Sequence, residues 1–156
     1  MDDKARADLD AGRITRTVVV RASQLATWDV LTDPAAIGQW WGHPAVFPDG
    51  MHEGAEGTFE WVDHGLMPMR IERFDPPTRF HLRWGELGDA TPGEDASLVE
   101  FTLEPDGEQR TLLTVVEHGF THLESAQRRA AMEENVNGWT LVLDAFVRYV
   151  EGDGAE

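Results

Sequence analysis

The sequence predicts an α+β fold in which a curved antiparallel sheet wraps around one long C-terminal helix. Between residues 58 and 118, apolar and polar residues alternate with a period of two, which is typical of antiparallel strands with one covered face. Between residues 123 and 150, apolar residues recur at spacings of three and four, which is typical of a helix. The 156 residues suit one domain over 13–152, between a polar N-terminal arm (1–12) and a polar tail (153–156).

One strand and two short helices are predicted before the alternating region. Segment 14–21 is rich in β-branched residues, which favours a strand. Ser23 is a good N-cap for a helix over 24–32. Asp33 and the proline that follows it are typical of a helix start, so a second helix is predicted over 34–40.

A meander of five further strands follows, because turn-rich segments at 75–78, 85–96 and 104–109 separate the alternating stretches. The alternation assigns one set of residues, apolar except for Glu117, to the inward face of each strand. These sets are Phe59 and Trp61; Met67, Met69 and Ile71; Phe80, Leu82 and Trp84; Val99, Phe101 and Leu103; and Leu113, Val115 and Glu117.

The final helix is predicted to end at Gly152 and to be about 37 Å long, at 1.5 Å per residue, so it can cross the full width of the sheet. Its apolar stripe consists of Met132, Val136, Trp139, Leu143, Phe146 and Val150. Gly138 lies within it at a cost of about 1 kcal/mol relative to alanine, so a close approach by another group is expected there. In the first helix, Leu25, Trp28 and Leu31 share one face, which is expected to be buried.

Composition excludes several classes of function. The formal net charge of −16 repels phosphate backbones, so nucleic-acid binding is not expected. The chain has no cysteine, which rules out disulfides, thiol nucleophiles and zinc–thiolate sites. No apolar run is long enough to insert into a membrane, and the charged N-terminal stretch does not resemble a secretory signal, so a cytoplasmic location is expected.

The polar residues show no motif for a metal or cofactor. His118 and His122 are four residues apart, but Gly119 and Phe120 interrupt the helical face that a metal-binding pair needs. Phosphate-binding loops, dinucleotide fingerprints and nucleophile elbows are not found in the sequence. We therefore expect neither a metal nor a cofactor.

Four motifs in this order resemble the START-like or SRPBCC superfamily, the helix-grip fold also seen in the birch-pollen allergen. They are "VVVRASQLATWDVLTDPAAIGQWWG", "MRIERFDPPTRFHLRW", "TLLTVVEHGF" and "GWTLVLDAFVRYVEG". Within the superfamily, the sequence is most similar to the Aha-type family, which is related to the activator of the heat-shock-protein-90 ATPase. The resemblance covers residues 14–152. One departure is His43, which stands where family members often continue directly from Trp-Trp-Gly to proline.

The resemblance implies a cavity between the sheet and the long helix, with a small hydrophobic molecule as the expected partner. One of Trp40 and Trp41 is expected to plug the interior and the other to line or cover its mouth. The ligand-binding residues that this predicts are Trp40, Trp41, Phe47, Phe59, Trp61, Met69, Ile71, Phe80, Leu82, Trp84, Phe101, Glu117, Trp139, Leu143 and Phe146.

Glu117 is the most informative polar residue, because its strand pattern places it on the inward face with Leu113 and Val115. A buried carboxylate is costly and has a raised pKa unless it is paired, whereas a solvated strand end would leave it ordinary. The first functional hypothesis is a non-catalytic domain that binds a small hydrophobic or aromatic ligand. The alternatives are a cyclase- or aromatase-like enzyme that uses Glu117 as acid or base, with His43 as the next candidate, and a co-chaperone-like partner of heat-shock protein 90.

Overall fold

An antiparallel sheet wraps around the C-terminal helix in the computed structural model, which describes residues 4–61, 63–93 and 96–152. The strands are β1 (Arg6–Asp8), β2 (Arg13–Val20), β3 (Ala45–Val46), β4 (Glu56–Trp61), β5 (Gly65–Asp75), β6 (Arg79–Trp84), β7 (Ser97–Pro105) and β8 (Thr111–His118). The helices are α1 (Gln24–Leu31), α2 (Pro34–Trp40) and α3 (Ser125–Glu151). The predicted α+β helix-grip fold is confirmed.

The strand order in the sheet is β1-β2-β8-β7-β6-β5-β4-β3, and every neighbouring pair is antiparallel. Strands β4 to β8 form the predicted meander. The early strand β2 then pairs with the last strand, with Ile14 opposite Glu117. This pairing brings the N-terminal part of the domain beside the strand that precedes α3.

The helix boundaries follow the predicted capping residues. Ser23 Oγ accepts a hydrogen bond of 3.1 Å from the backbone N–H of Ala26, and Asp33 Oδ1 accepts one of 3.1 Å from that of Ala35. Helix α3 ends at Gly152, whose φ of 84° is in the left-handed region that glycine adopts at low cost. These short-range signals therefore determine where the helices begin and end.

Four local predictions differ from the structure. Residues 6–8, within the stretch that the sequence predicts to be an arm, form an edge strand on β2. Strand β3 has no counterpart among the predicted strands, since a two-residue strand carries no alternation. Leu25 is 61% exposed, because Thr27 rather than Leu25 shares the buried face of α1 with Trp28. Gly138 makes no close contact: a Cβ built there would have nothing within 4 Å.

The core lies between the concave face of the sheet and α3, and an ion pair made by a buried arginine attaches the helix to β2. Arg16 is buried, and its guanidinium donates to Asp144 Oδ1 and to the Thr140 carbonyl oxygen, each at 2.6 Å. Both acceptors belong to α3, so this arginine holds the helix across the sheet. None of the helices in the described part of the chain has the length and apolar character that a membrane span requires.

Candidate functional site

A cavity of about 340 Å³ lies between the sheet and α3. Most of its wall is aromatic or apolar: Trp41, Phe59, Trp61, Met67, Trp84 and Trp139. Helix α3 adds Gly138 and Val142, and the polar side chains in the wall are His43, Glu117 and Asn135. The cavity is therefore an apolar space with a few polar groups, which is the usual character of a small-molecule site.

The adjacent tryptophans at the end of α2 take different positions. Trp40 is buried with its ring edge-on to Phe146 at 4.9 Å, and its Nε1 donates to the Val30 carbonyl oxygen at 3.4 Å. Trp41 is half-buried in the cavity wall, with ring contacts to Phe59 at 4.9 Å. The two indoles stack on each other at 5.1 Å. Trp40 thus fills the space between α2 and α3, and Trp41 forms one side of the cavity.

The structure divides the predicted ligand-binding residues into two groups. Six of them line the cavity: Trp41, Phe59, Trp61, Trp84, Glu117 and Trp139. The other nine are buried in the core and do not line it: Trp40, Phe47, Met69, Ile71, Phe80, Leu82, Phe101, Leu143 and Phe146. Alternation identifies the inward face of a strand, but the same face supplies both core and cavity wall.

Three wall residues on α3 are absent from the predicted ligand-binding set, namely Asn135, Gly138 and Val142. Asn135 is four residues and Gly138 one residue before Trp139, and Val142 is three residues after it. They therefore occupy the helix face next to its buried stripe. Their spacing from Trp139 was the available signal. Only the direction of α3 across the sheet shows that this face borders an open space.

Glu117 lies in the cavity wall with its side chain fully buried. Its Oε1 accepts hydrogen bonds from Trp139 Nε1 at 2.8 Å and from Asn135 Nδ2 at 2.9 Å. Burial raises the pKa of Glu117, and the hydrogen bonds from Trp139 and Asn135 only partly oppose this. Ser97 also lowers the pKa, but Oε2 has no hydrogen bond of standard geometry to any residue that the structure describes.

His43 stacks on Trp61, with ring centroids 4.0 Å apart and planes inclined by 19°. The residue before it, Gly42, has a φ of 91°, which lets the chain turn sharply after α2 and bring the imidazole over β4. Burial lowers the pKa of His43, which favours the neutral imidazole. The departure from the family pattern at this position therefore adds a neutral aromatic ring to the wall.

The chemistry available at the site is that of aromatic surfaces, one buried carboxyl group, one amide and one imidazole. In the part of the chain that the structure describes, no three His, Asp or Glu side chains are placed to hold a metal ion. The arrangement can enclose an apolar ring system and offer it hydrogen bonds at few points.

Solved structures with the same fold are numerous, and several come from bacteria. DynU16, from the dynemicin biosynthetic locus, is 22% identical with a TM-score of 0.71, and the match covers 90% of this chain and 47% of that one. A protein from Arthrobacter aurescens is 19% identical with a TM-score of 0.71, covering 95% of this chain and 91% of that one. CalU16 from Micromonospora echinospora is 22% identical with a TM-score of 0.66, covering 88% and 75%. This chain thus spans about half the length of DynU16 and most of the other two.

No curated protein is similar enough to this chain to match it. The protein family described as "Activator of Hsp90 ATPase homolog 1-like protein" matches residues 21–151. That range includes both short helices, the meander from β4 to β8, and α3, which together form the START-like helix-grip fold. Because the match extends over most of its length, the chain belongs to the Activator of Hsp90 ATPase homolog 1-like family.

Proposed function

We propose that this protein is a non-catalytic START-like domain that binds a small hydrophobic or aromatic molecule between the sheet and α3. The observation that carries the proposal is the cavity of about 340 Å³ with five large aromatic rings in its wall. An apolar cavity of about 150 Å³ is enough to bind benzene. The volume here therefore suits a molecule of about two rings.

The arrangement of the rings supports an aromatic occupant. Trp84 and Trp139 lie nearly parallel, with planes inclined by 11° and centroids 6.1 Å apart. Trp41 is tilted against Trp139 at 5.3 Å. Such surfaces offer a ligand both the face and the edge of an indole, which are the two favoured geometries of aromatic pairs.

Gly138 supports the proposal from the helix side. A glycine within a helix costs about 1 kcal/mol relative to alanine, and no close contact at Gly138 requires the missing side chain. The position borders the cavity, so any larger side chain there would occupy part of the space. The helix is thus less stable than it could be at a position where bulk would reduce the cavity.

The experiment is a titration with tetralin, a two-ring hydrocarbon, followed by calorimetry and by tryptophan emission, since four tryptophans line the cavity. We expect saturable binding by the wild type and a loss of at least tenfold in affinity for Gly138→Leu, which fills the space. Ala130→Leu adds bulk at an exposed position of the same helix and serves as the matched control with unchanged binding. Equal affinities in all three proteins, or no binding of tetralin at all, would contradict the proposal.

An enzymatic role is the second candidate, because Glu117 and His43 both lie in the cavity wall. A buried carboxyl group with a raised pKa is suited to general acid or base catalysis. The test is to incubate the protein for a prolonged time with a molecule that it binds, to recover that molecule, and to measure its mass and isomer composition. An unchanged molecule supports the binding role, whereas a product that disappears with Glu117→Gln would establish catalysis.

A further inference from the structure

Two buried side-chain polar atoms within the described residues have no hydrogen-bond partner, and both belong to side chains that line the cavity. They are Nε1 of Trp61 and Oε2 of Glu117. Buried polar groups are nearly always paired, so each exception calls for an explanation. That both exceptions occur in the wall of one cavity indicates a common cause.

An ordered water is a poor partner for Nε1 of Trp61. A buried water is stable when it makes about two to four hydrogen bonds, whereas Trp61 stacks on the ring of His43 and shares the cavity wall with apolar residues such as Phe59 and Met67. A molecule that fills the cavity and carries its own polar groups would pair both atoms while it also covers the aromatic wall.

The two atoms belong to residues on strands that are not neighbours in the sheet. Trp61 is the last residue of β4, whereas Glu117 is near the end of β8, and three strands separate β4 from β8 in the sheet. Neighbouring strands lie about 4.8 Å apart, so the strand order separates the two residues by more than a single polar group on a ligand can bridge. The ligand must therefore carry two polar groups at different ends of its ring system.

The chemistry of each atom restricts the group that it can pair. An indole N–H donates and cannot accept, so the end near Trp61 must present an acceptor such as a carbonyl oxygen. At Glu117, Oε1 already accepts from Trp139 and Asn135. Ser97 also lowers the pKa of this carboxyl group, but Oε2 makes no hydrogen bond of standard geometry to a described residue and can still pair with a ligand. A hydroxyl suits Oε2 in either protonation state, because it donates to a carboxylate and accepts from a carboxylic acid.

We propose that the ligand is an uncharged two-ring aromatic molecule with a carbonyl oxygen that accepts from Trp61 and a hydroxyl that pairs with Glu117. This inference rests on the proposed function and specifies the class of ligand. Anionic ligands are excluded from the class, because the net charge of −16 opposes a further negative charge and burial already disfavours a charged group beside Glu117.

The test uses four probes that differ only in the two polar groups: tetralin, 1-tetralone, 5,6,7,8-tetrahydro-2-naphthol and 6-hydroxy-1-tetralone. Each group is expected to tighten binding to the wild type about fivefold, as a neutral hydrogen bond does. In Trp61→Phe, the gain in affinity from the carbonyl group is expected to disappear. In Glu117→Met, the gain in affinity from the hydroxyl group is expected to disappear. Affinity for tetralin in the same variant corrects for altered packing.

Both proposed hydrogen bonds, to Trp61 and to Glu117, can also be detected by NMR in the wild type. The indole N–H resonance of Trp61 is expected to move on addition of 1-tetralone and not of tetralin. The carboxyl-carbon resonance of Glu117 is expected to shift on addition of 5,6,7,8-tetrahydro-2-naphthol. This measurement tests the hydrogen bond to Glu117 if Glu117→Met does not fold. If tetralin binds but the polar groups add less than twofold, or their gains persist in the variants, this inference is wrong and the proposed function stands. If tetralin does not bind, the proposed function itself fails.

Discussion

The indole Nε1 of Trp139 donates a hydrogen bond of 2.8 Å to Oε1 of Glu117, which joins the middle of α3 to the end of β8. Asn135, one turn earlier on the helix, donates to the same oxygen at 2.9 Å. A buried carboxyl group therefore fixes the helix against the last strand at the wall of the cavity. The ionisation of Glu117 is therefore expected to affect the stability of the protein.

Glu117 predicts a pH dependence of stability. Its pKa is raised by burial in the folded state, so the folded protein holds the proton more tightly than the unfolded chain does. The stabilisation from Glu117 is thus complete below its ordinary pKa of about 4.5 and is lost as the pH rises through the raised value. A tenfold difference in proton affinity between the folded and unfolded states corresponds to about 1.4 kcal/mol of stability.

The measurement is urea unfolding of the wild type and Glu117→Gln from pH 5 to pH 8.5. Glutamine keeps the oxygen that accepts from Trp139 and Asn135 but cannot ionise. We expect the variant to gain stability relative to the wild type as the pH rises. Glu134→Gln removes one exposed carboxylate from α3 and is the control. Its stability relative to the wild type is expected not to change with pH. A difference for Glu117→Gln that is equally flat would show that burial does not raise this pKa.

Gly138 and Gly57 predict opposite effects of the same substitution. Gly138→Ala adds a methyl group with nothing within 4 Å and improves helix propensity, so it should stabilise the protein by about 1 kcal/mol. Gly57→Ala brings its Cβ into a steric clash with the Val46 carbonyl oxygen, so β3 must move and the protein should lose about 2 kcal/mol. Thermal unfolding of both variants measures the signs. Destabilisation by Gly138→Ala would mean that the helix backbone is constrained there.

The fold was predictable because its signals are local or periodic. Ser23 and Asp33 cap α1 and α2 as their side-chain chemistry requires, and strict alternation from Phe59 onward identifies the sheet. The exceptions have weak local signals. Strand β1 consists of exposed residues of a polar segment, and it depends on pairing with β2 rather than on its own composition.

The site was only partly predictable, since alternation does not distinguish a core residue from a cavity residue. Trp84 and Leu82 share one face of β6, yet Trp84 lines the cavity and Leu82 is enclosed in the core. The difference depends on how far α3 covers each strand. The resemblance implied a cavity, but its position along the strands follows only from the tertiary arrangement of α2, α3 and the sheet.

The ion pair between Arg16 and Asp144 predicts a stability effect that surface pairs do not share. Arg16 is buried and Asp144 is half-exposed, so Asp144→Ala removes a charged partner from a guanidinium out of contact with water. A loss of about 2 kcal/mol is expected. Asp106→Ala breaks an exposed pair with Arg110 on the loop between β7 and β8 and is expected to cost less than about 1 kcal/mol. Equal losses in urea unfolding would mean that Arg16 does not depend on this carboxylate.

His43 predicts a titration below that of an ordinary histidine. Its ring is stacked on Trp61 and partly withdrawn from water, and burial lowers its pKa from the usual value of about 6.5. The stabilisation from the neutral ring is therefore present above pH 6.5 and is lost as the pH falls through the lowered pKa. The measurement is the imidazole proton shift against pH by NMR, with Trp61→Ala expected to return the pKa towards 6.5 by exposing the ring. A pKa above 6.5 in the wild type would instead show that attraction between the imidazolium and the indole face outweighs the loss of hydration.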